Sequence, residues 1–246
     1  MGAAYPFLVA LALAGVAATI SPSGPEVPVN LLRIEVHFDR PLPAVPRAAI
    51  VLRDAAGRPV ADALLDLALT DKDERSLVIL MQPGRIKQGL GPHAAIGPAL
   101  HEGERITLEL SDPRLSRPLT RTWRVGAARQ NALVPASWRL RAPAARSKAP
   151  LVLVLPWAIN ASAAPLIAVA GVDGRRIAGK AALGAGETEW RFMPAAPWQP
   201  GSYQLRVHRS LEDPQGNRLC AAFEERGQSE RRCDEGAAVG FSIAAR

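Results

Sequence analysis

LLRIEVHF, residues 31–38, is the stretch that decides the fold class. Leu32, Ile34, Val36 and Phe38 alternate with Arg33, Glu35 and His37, the period of two that a strand with one buried face requires. The habit recurs in AAIVLRD (48–54), SLVILMQ (76–82), RITLELSD (105–112) and LTRTWRV (119–125). The second half repeats it in SWRLRA (137–142), LVLVLPW (151–157), LIAVAG (166–171), TEWRFMP (188–194), SYQLRVHR (202–209) and VGFSIA (239–244). No segment after residue 20 sustains a 3.6-residue apolar period. Short strands separated by Pro, Gly and Asp predict an all-β chain built from sandwiches.

The two halves resemble each other in order. VLRDAAGRPVAD (51–62) parallels AVAGVDGRRIAG (168–179), a strand entering a turn with Gly at its bend and leaving on a second strand. SLVILMQPGR (76–85) parallels TEWRFMPAAPW (188–198), and GERITLELSDPRLSRPL (103–119) parallels GSYQLRVHRSLEDPQGNRL (201–219). A near-constant shift means two copies of one fold. The expected domains are 28–126 and 136–246, divided between Gly126 and Pro135. Trp123, Trp138, Trp190 and Trp198 are expected on inner faces or at the junction, because aromatic area is scarce at 5% of the chain.

Composition narrows the class. The chain has 246 residues, 48% hydrophobic and 22% charged, which is too apolar for disorder. Only one long apolar run exists, at the N-terminus, which excludes a polytopic helical membrane protein. Gly2 to Ile20 carries no charge, and Val16 and Ala18 stand at −3 and −1 of a cut before Thr19. Residues 1–18 therefore read as a secretory signal peptide, although no Lys or Arg precedes the apolar stretch. An uncleaved membrane anchor is the rival reading. Export, periplasmic or extracellular, is the expected localisation, with no stable membrane span after cleavage.

Two cysteines, Cys220 and Cys233, suit an exported chain with one disulfide. Such a bridge would close a charged loop and contribute about 3 kcal/mol. Without a nearby His ligand the pair makes a poor zinc site, and the spacing is far from Cys-x-x-Cys.

Net charge is +7. Within the linker 127–150, Arg129, Arg139, Arg141, Arg146 and Lys148 meet no acid. That excess suits an anionic polymer or lipid surface. Nucleic acid is not expected, since only Trp138 interleaves the basic residues and export removes the chain from it.

V-P-x-N-L-L-R-I-x-V-x-F-D-x-P-L (Val27 to Leu42) and P-G-R-I-K-x-G-L (Pro83 to Leu90) mark the first repeat. W-x-F-x-P…P-W-x-P-G-x-Y-x-L (Trp190 to Leu205) and L-E-D-x-x-G-N (Leu211 to Asn217) mark the second. Over residues 28–244 the chain resembles two tandem bacterial Ig-like domains of the S-layer-protein type, found in exported proteins of unknown role. The resemblance implies a fold and is weak for function. The Cys220–Cys233 insertion lies outside the family pattern.

Chemistry is sparse. No Gly-x-Ser-x-Gly, His-Glu-x-x-His, P-loop or Gly-x-Gly-x-x-Gly stands in a fitting context, so catalytic residues are not expected. His93 and His101 flank a Gly/Pro loop without a convincing metal set, and His37 and His208 lie on solvent sides of strands. Glu212, Asp213 and Asn217, with Asp71, Asp73 and Glu74 on the first repeat, are candidates for Ca²⁺. Asn217 more simply caps its own turn. No other cofactor is expected. The loop PGRIKQGLGPH (83–93) offers Arg85, Lys87 and His93 as a binding set for anions, or else is a hairpin connection fixed by its own turns.

The expected function is a non-catalytic exported Ig-like protein, a binding or structural module of the bacterial cell envelope. The alternative is an anionic glycan or polymer binder using loop 83–93 and linker 127–150. The partner is thus an envelope protein or an anionic envelope polymer, and the oligomeric state is not legible.

Overall fold

A computed structural model of the protein describes residues 15–86, 91–219, 221–223 and 236–245, without the side chains of 91–93. Lys87, Cys220, Cys233 and the His93 side chain lie outside the described residues, as do residues 1–14 of the expected leader.

The first half folds into two sheets. One contains β1 (Ala18–Ser21), β3 (Arg33–Phe38), β5 (Leu64–Thr70) and β6 (Ser76–Met81) in the order β1-β3-β6-β5. The other contains β2 (Glu26–Pro28), β4 (Ile50–Arg53), β7 (Arg105–Leu110) and β8 (Leu119–Gly126) in the order β2-β8-β7-β4. Every pairing is antiparallel except β2 on β8. Alternation does the work: Ile34, Val36 and Phe38 turn inward with Leu77, Ile79 and Met81, against Ile106, Leu108, Leu110 and Trp123 from the facing sheet. The Trp123 indole Nε1 donates to the Pro22 carbonyl at 2.8 Å, so its one polar atom is satisfied inside the core.

The second half repeats the plan. Its sheets are β9 (Arg139–Arg141), β10 (Leu151–Val154), β12 (Gly179–Leu183) and β13 (Glu189–Pro194), ordered β12-β13-β10-β9, and β11 (Ile167–Gly171), β14 (Gly201–Val207) and β15 (Ala237–Ile243), ordered β11-β14-β15. Lettered A to G, β1, β3, β6 and β5 are A-B-E-D and β4, β7 and β8 are C-F-G. In the second half β9, β10, β13 and β12 take the first four places, and β11, β14 and β15 the rest. That strand order is the Ig arrangement. Both halves are Ig-like sandwiches.

The repeated segments of the sequence occupy equivalent places. β4 and β11 each run into a turn with a left-handed glycine, Gly57 at φ 77° and Gly174 at φ 74°. In each, an aspartate cups main-chain N–H groups: Asp54 those of Ala56 and Arg58, Asp173 that of Arg175. The second core carries a chain of ring contacts from Trp190 through Phe192, Trp198 and Tyr203 to Phe241, with centroids 5.4–5.9 Å apart. Trp138 is also buried.

The first core begins upstream of residue 28. Val16, 8% exposed, bridges to Leu115, donates its N–H to Arg114 O at 2.8 Å and accepts from the Ser116 N–H at 2.9 Å. Ala17 exchanges hydrogen bonds with Asp39, and Ala18 pairs with Phe38. A cut before Thr19 would remove all three residues from the sheet they complete.

Candidate functional site

A dense polar constellation lies where the two sandwiches meet. The turn Asp213-Pro214-Gln215-Gly216-Asn217 connects strands at the end of the second sandwich, with Gly216 at φ 84°. Asp213 Oδ1 accepts the N–H groups of Gln215 at 3.0 Å and Asn217 at 2.8 Å, and Oδ2 accepts Asn217 Nδ2 at 2.8 Å. The turn so fixed offers the Pro214 carbonyl to the N–H groups of Leu32 and Arg33, each at 2.9 Å. The Arg129 carbonyl, in the linker, accepts amide donors from Asn30 at 2.8 Å and Asn217 at 3.1 Å. Asn30 Oδ1 takes the Arg129 N–H in return, at 2.9 Å. Asp213 is buried, and burial pushes its carboxyl up to about 6 despite the Asn217 and Gln215 donors.

Two more carboxylates cross the joint. Glu35, 3% exposed, accepts the Ser162 N–H at 2.8 Å and the Ser162 hydroxyl at 2.9 Å. His37 Nε2 lies 3.4 Å and Arg33 Nη1 4.0 Å from the same group. Burial alone would raise the Glu35 carboxyl, but the nearby His37 imidazole and the hydrogen bonds from Ser162 outweigh it and hold it below the usual carboxylate range. Glu187 reaches the other way, accepting the Ser21 hydroxyl at 2.9 Å and the Ser23 N–H at 2.8 Å, while the Gly186 N–H donates to Ser23 Oγ at 2.8 Å. Arg33 also faces Glu212 at 3.5 Å.

The expected calcium set is brought together here but is engaged internally. Glu212 pairs with Arg218 at 2.6 Å, and Asn217 Oδ1 accepts the Phe223 N–H. Asp71 likewise caps its own turn through Arg75 and Ser76. Among the described residues no group of three or more His, Cys, Asp or Glu is arranged to hold a metal ion.

Arg85 stands apart from the anion site expected of it. It sits in the short helix α1 (Pro83–Ile86), buried, with Nε donating to Gly97 O at 2.7 Å, Nη2 to Pro98 O at 3.0 Å and Nη1 to Ala61 O. A guanidinium committed to the carbonyls of Ala61, Gly97 and Pro98 ties α1 to these segments rather than facing solvent.

One feature of this region had no signal in the sequence beyond LVLVLPW. A groove of about 360 Å³ opens beside the joint, lined by Leu133, Val134, Trp138, Leu155, Trp157 and Ile159. Trp157 is 40% exposed, and the Arg129 guanidinium stacks over its ring at 5.0 Å.

No family model and no curated protein matches the chain. Among solved structures it is similar to the BSP domain of a biofilm-associated protein, at 10% identity and TM-score 0.28, covering 93% of this chain. The chain spans only 29% of that protein's length. It is also similar to a tandem pair of titin Ig domains, at 9% identity, TM-score 0.25 and 89% of each chain. Native alpha-2-macroglobulin from Escherichia coli follows at 12% identity and TM-score 0.26, over 88% of this chain and 68% of the other. The fold assignment rests on the strand order described above.

Proposed function

We propose that the chain is a non-catalytic, exported pair of Ig-like domains of the S-layer-protein type, working as a binding or structural module in the bacterial cell envelope. The observation that carries this reading is the joint. Tandem domains move relative to each other unless their interface is specifically built. Here Glu35, Glu187, Asn30 and the Pro214 carbonyl each hold a partner from beyond their own sandwich. Removing any one partner strands a buried polar group, which favours one fixed arrangement. A fixed pair of sandwiches suits a spacer or a two-site binder, because a second contact then forms at high effective concentration. The apolar groove at Trp157 supports an envelope protein as partner, since exposed Trp beside Arg is typical of protein-binding surfaces.

The test is a pull-down with the purified chain from an envelope extract of its source cell, washed at low and high salt. A defined protein retained at high salt is the expected result. Retention of nothing beyond salt-labile polyanions contradicts the protein-partner reading.

A further inference from the structure

We infer that the outward face of the A-B-E-D sheet of the second sandwich binds an anionic polysaccharide through Arg139, Arg141, Arg191 and Lys180. The residues come from three different strands, and only the sheet register unites them. Arg141 pairs with Val152, Val152 with Arg191 and Arg191 with Ala182, forming one outward row. Arg139, Val154 and Glu189 form the next row, and Met193 pairs with Lys180 beyond the first. Leu140, Leu153, Trp190 and Leu183 point the opposite way, into the core.

Strand geometry sets the spacing of the cations. Two residues along β9 separate Arg139 from Arg141 by about 7 Å, and two strand intervals separate Arg141 from Arg191 by about 10 Å. Four cations thus share a flat surface with one carboxylate. Glu189 bridges Arg141, at 3.3 Å, and Arg191, yet their side chains stay 66% and 60% exposed. Arg139 and Lys180 are exposed too. Arg146 and Lys148 continue the charge in the loop between β9 and β10, again exposed.

The patch has no counterpart on the same sheet of the first sandwich. The equivalent face of the first sandwich carries Thr19, His37 and Ser76 in one row, Ser21, Glu35, Val78 and Leu69 in the next, then Arg33 and Leu80. The class of partner follows from what the basic face lacks. Its outward rows hold Arg, Lys, Val, Ala, Met and Glu but no aromatic ring, and single-stranded nucleic acid is held largely by stacking on rings. Met193 is the one bulky apolar side chain exposed in these rows, too little for a protein to enter a lipid interface. A flat grid of separated cations suits a polymer that repeats negative charges along an extended chain, each contact weak and the set additive through multivalency.

This inference rests on reading the chain as a binding module. The experiment titrates the purified full chain by calorimetry with heparin and with polygalacturonate, at low and high salt, alongside oligothymidine and phosphatidylglycerol vesicles. Polysaccharide binding is expected to weaken roughly tenfold or more when Arg139, Arg141, Lys180 and Arg191 are all changed to Ser, and to fall steeply with salt. Changing Arg58, Arg105, Arg117 and Arg124 to Ser removes the same charge elsewhere and is expected to leave binding within about twofold. Glu189→Gln, which frees two arginines and keeps the fold, is expected to tighten binding. Equal loss in the two quadruple variants overturns the assignment, as does no polysaccharide binding by the wild type. Preference for oligothymidine or for vesicles overturns it as well. A failed titration beside a protein retained at high salt in the pull-down would remove this face alone and leave the module reading standing.

Discussion

Glu35 lies on β3 of the first sandwich, and its carboxylate takes both the N–H and the hydroxyl of Ser162 in the second sandwich, 127 residues away. The pair makes each sandwich part of the other's surface. It also explains why a charged residue on an alternating strand is buried on what would otherwise be the solvent side.

Glu35→Ala removes both hydrogen bonds to Ser162, whose exposed N–H and hydroxyl can turn to water, and is expected to cost about 1–2 kcal/mol in urea unfolding. Ser162→Ala removes one of the two hydrogen bonds and is expected to cost about 1 kcal/mol. Because the residues touch, the double variant is expected to lose less than the two singles together. Strict additivity would show that the contact does not form in solution.

The joint titrates in two opposing senses. Glu35 is held below its ordinary value of 4.5, so its contribution is complete above that value and is lost as pH falls through the folded-state pKa. Asp213 is raised from 3.8 to about 6, so its contribution is complete below 3.8 and is lost as pH rises through 6. Asp213→Asn does not ionise. Its stability relative to the wild type is expected to improve by about 2 kcal/mol between pH 4 and 7, measured by urea unfolding across that range. A difference that stays flat across the window would mean the carboxyl is not desolvated in the folded protein.

Arg85→Ala exposes three main-chain carbonyls to a void and is expected to lower stability by about 2–4 kcal/mol. Arg85→Lys keeps the charge but supplies one point donor in place of a fork, and is expected to recover less than half of that loss. Phosphate or sulfate at moderate concentration should shift neither variant more than the wild type in thermal unfolding. A selective shift would return Arg85 to anion binding.

A chain beginning at Thr19 lacks the Val16 bridge to Leu115 and the Ala17–Asp39 exchange. It is expected to unfold about 1–2 kcal/mol more easily than a chain beginning at Gly15, from one buried Val and its backbone hydrogen bonds. We therefore expect an exported form to begin at or before Gly15, a point that intact mass of the secreted protein decides.

The strands were legible because alternation reports a local property: each residue either faces the core or does not. Ile34, Val36, Leu77 and Ile79 needed no knowledge of the rest of the chain. The turns at Gly57 and Gly174 were legible for the same reason, since an Asp and a left-handed Gly act within five residues. Glu35 was not, because the alternation that put it outside could not know that Ser162 would cover it. Arg85 read as an exposed cation since its acceptors, Ala61 and the pair Gly97 and Pro98, lie 24, 12 and 13 residues off. Val16 was hidden by composition, as the tail of a leader and the start of a buried strand are written in the same small apolar residues. Arg139 and Arg141 were visible as linker charge, but Arg191 joins them only through the register of β9, β10 and β13.

The central claim is that the two sandwiches form one fixed unit, and residual dipolar couplings measured on each sandwich test it most directly. One alignment tensor should fit both halves of the wild type, and two should be needed once Glu35 and Glu187 are both changed to Ala. Two different tensors in the wild type would contradict the account, because the joint would then be a hinge.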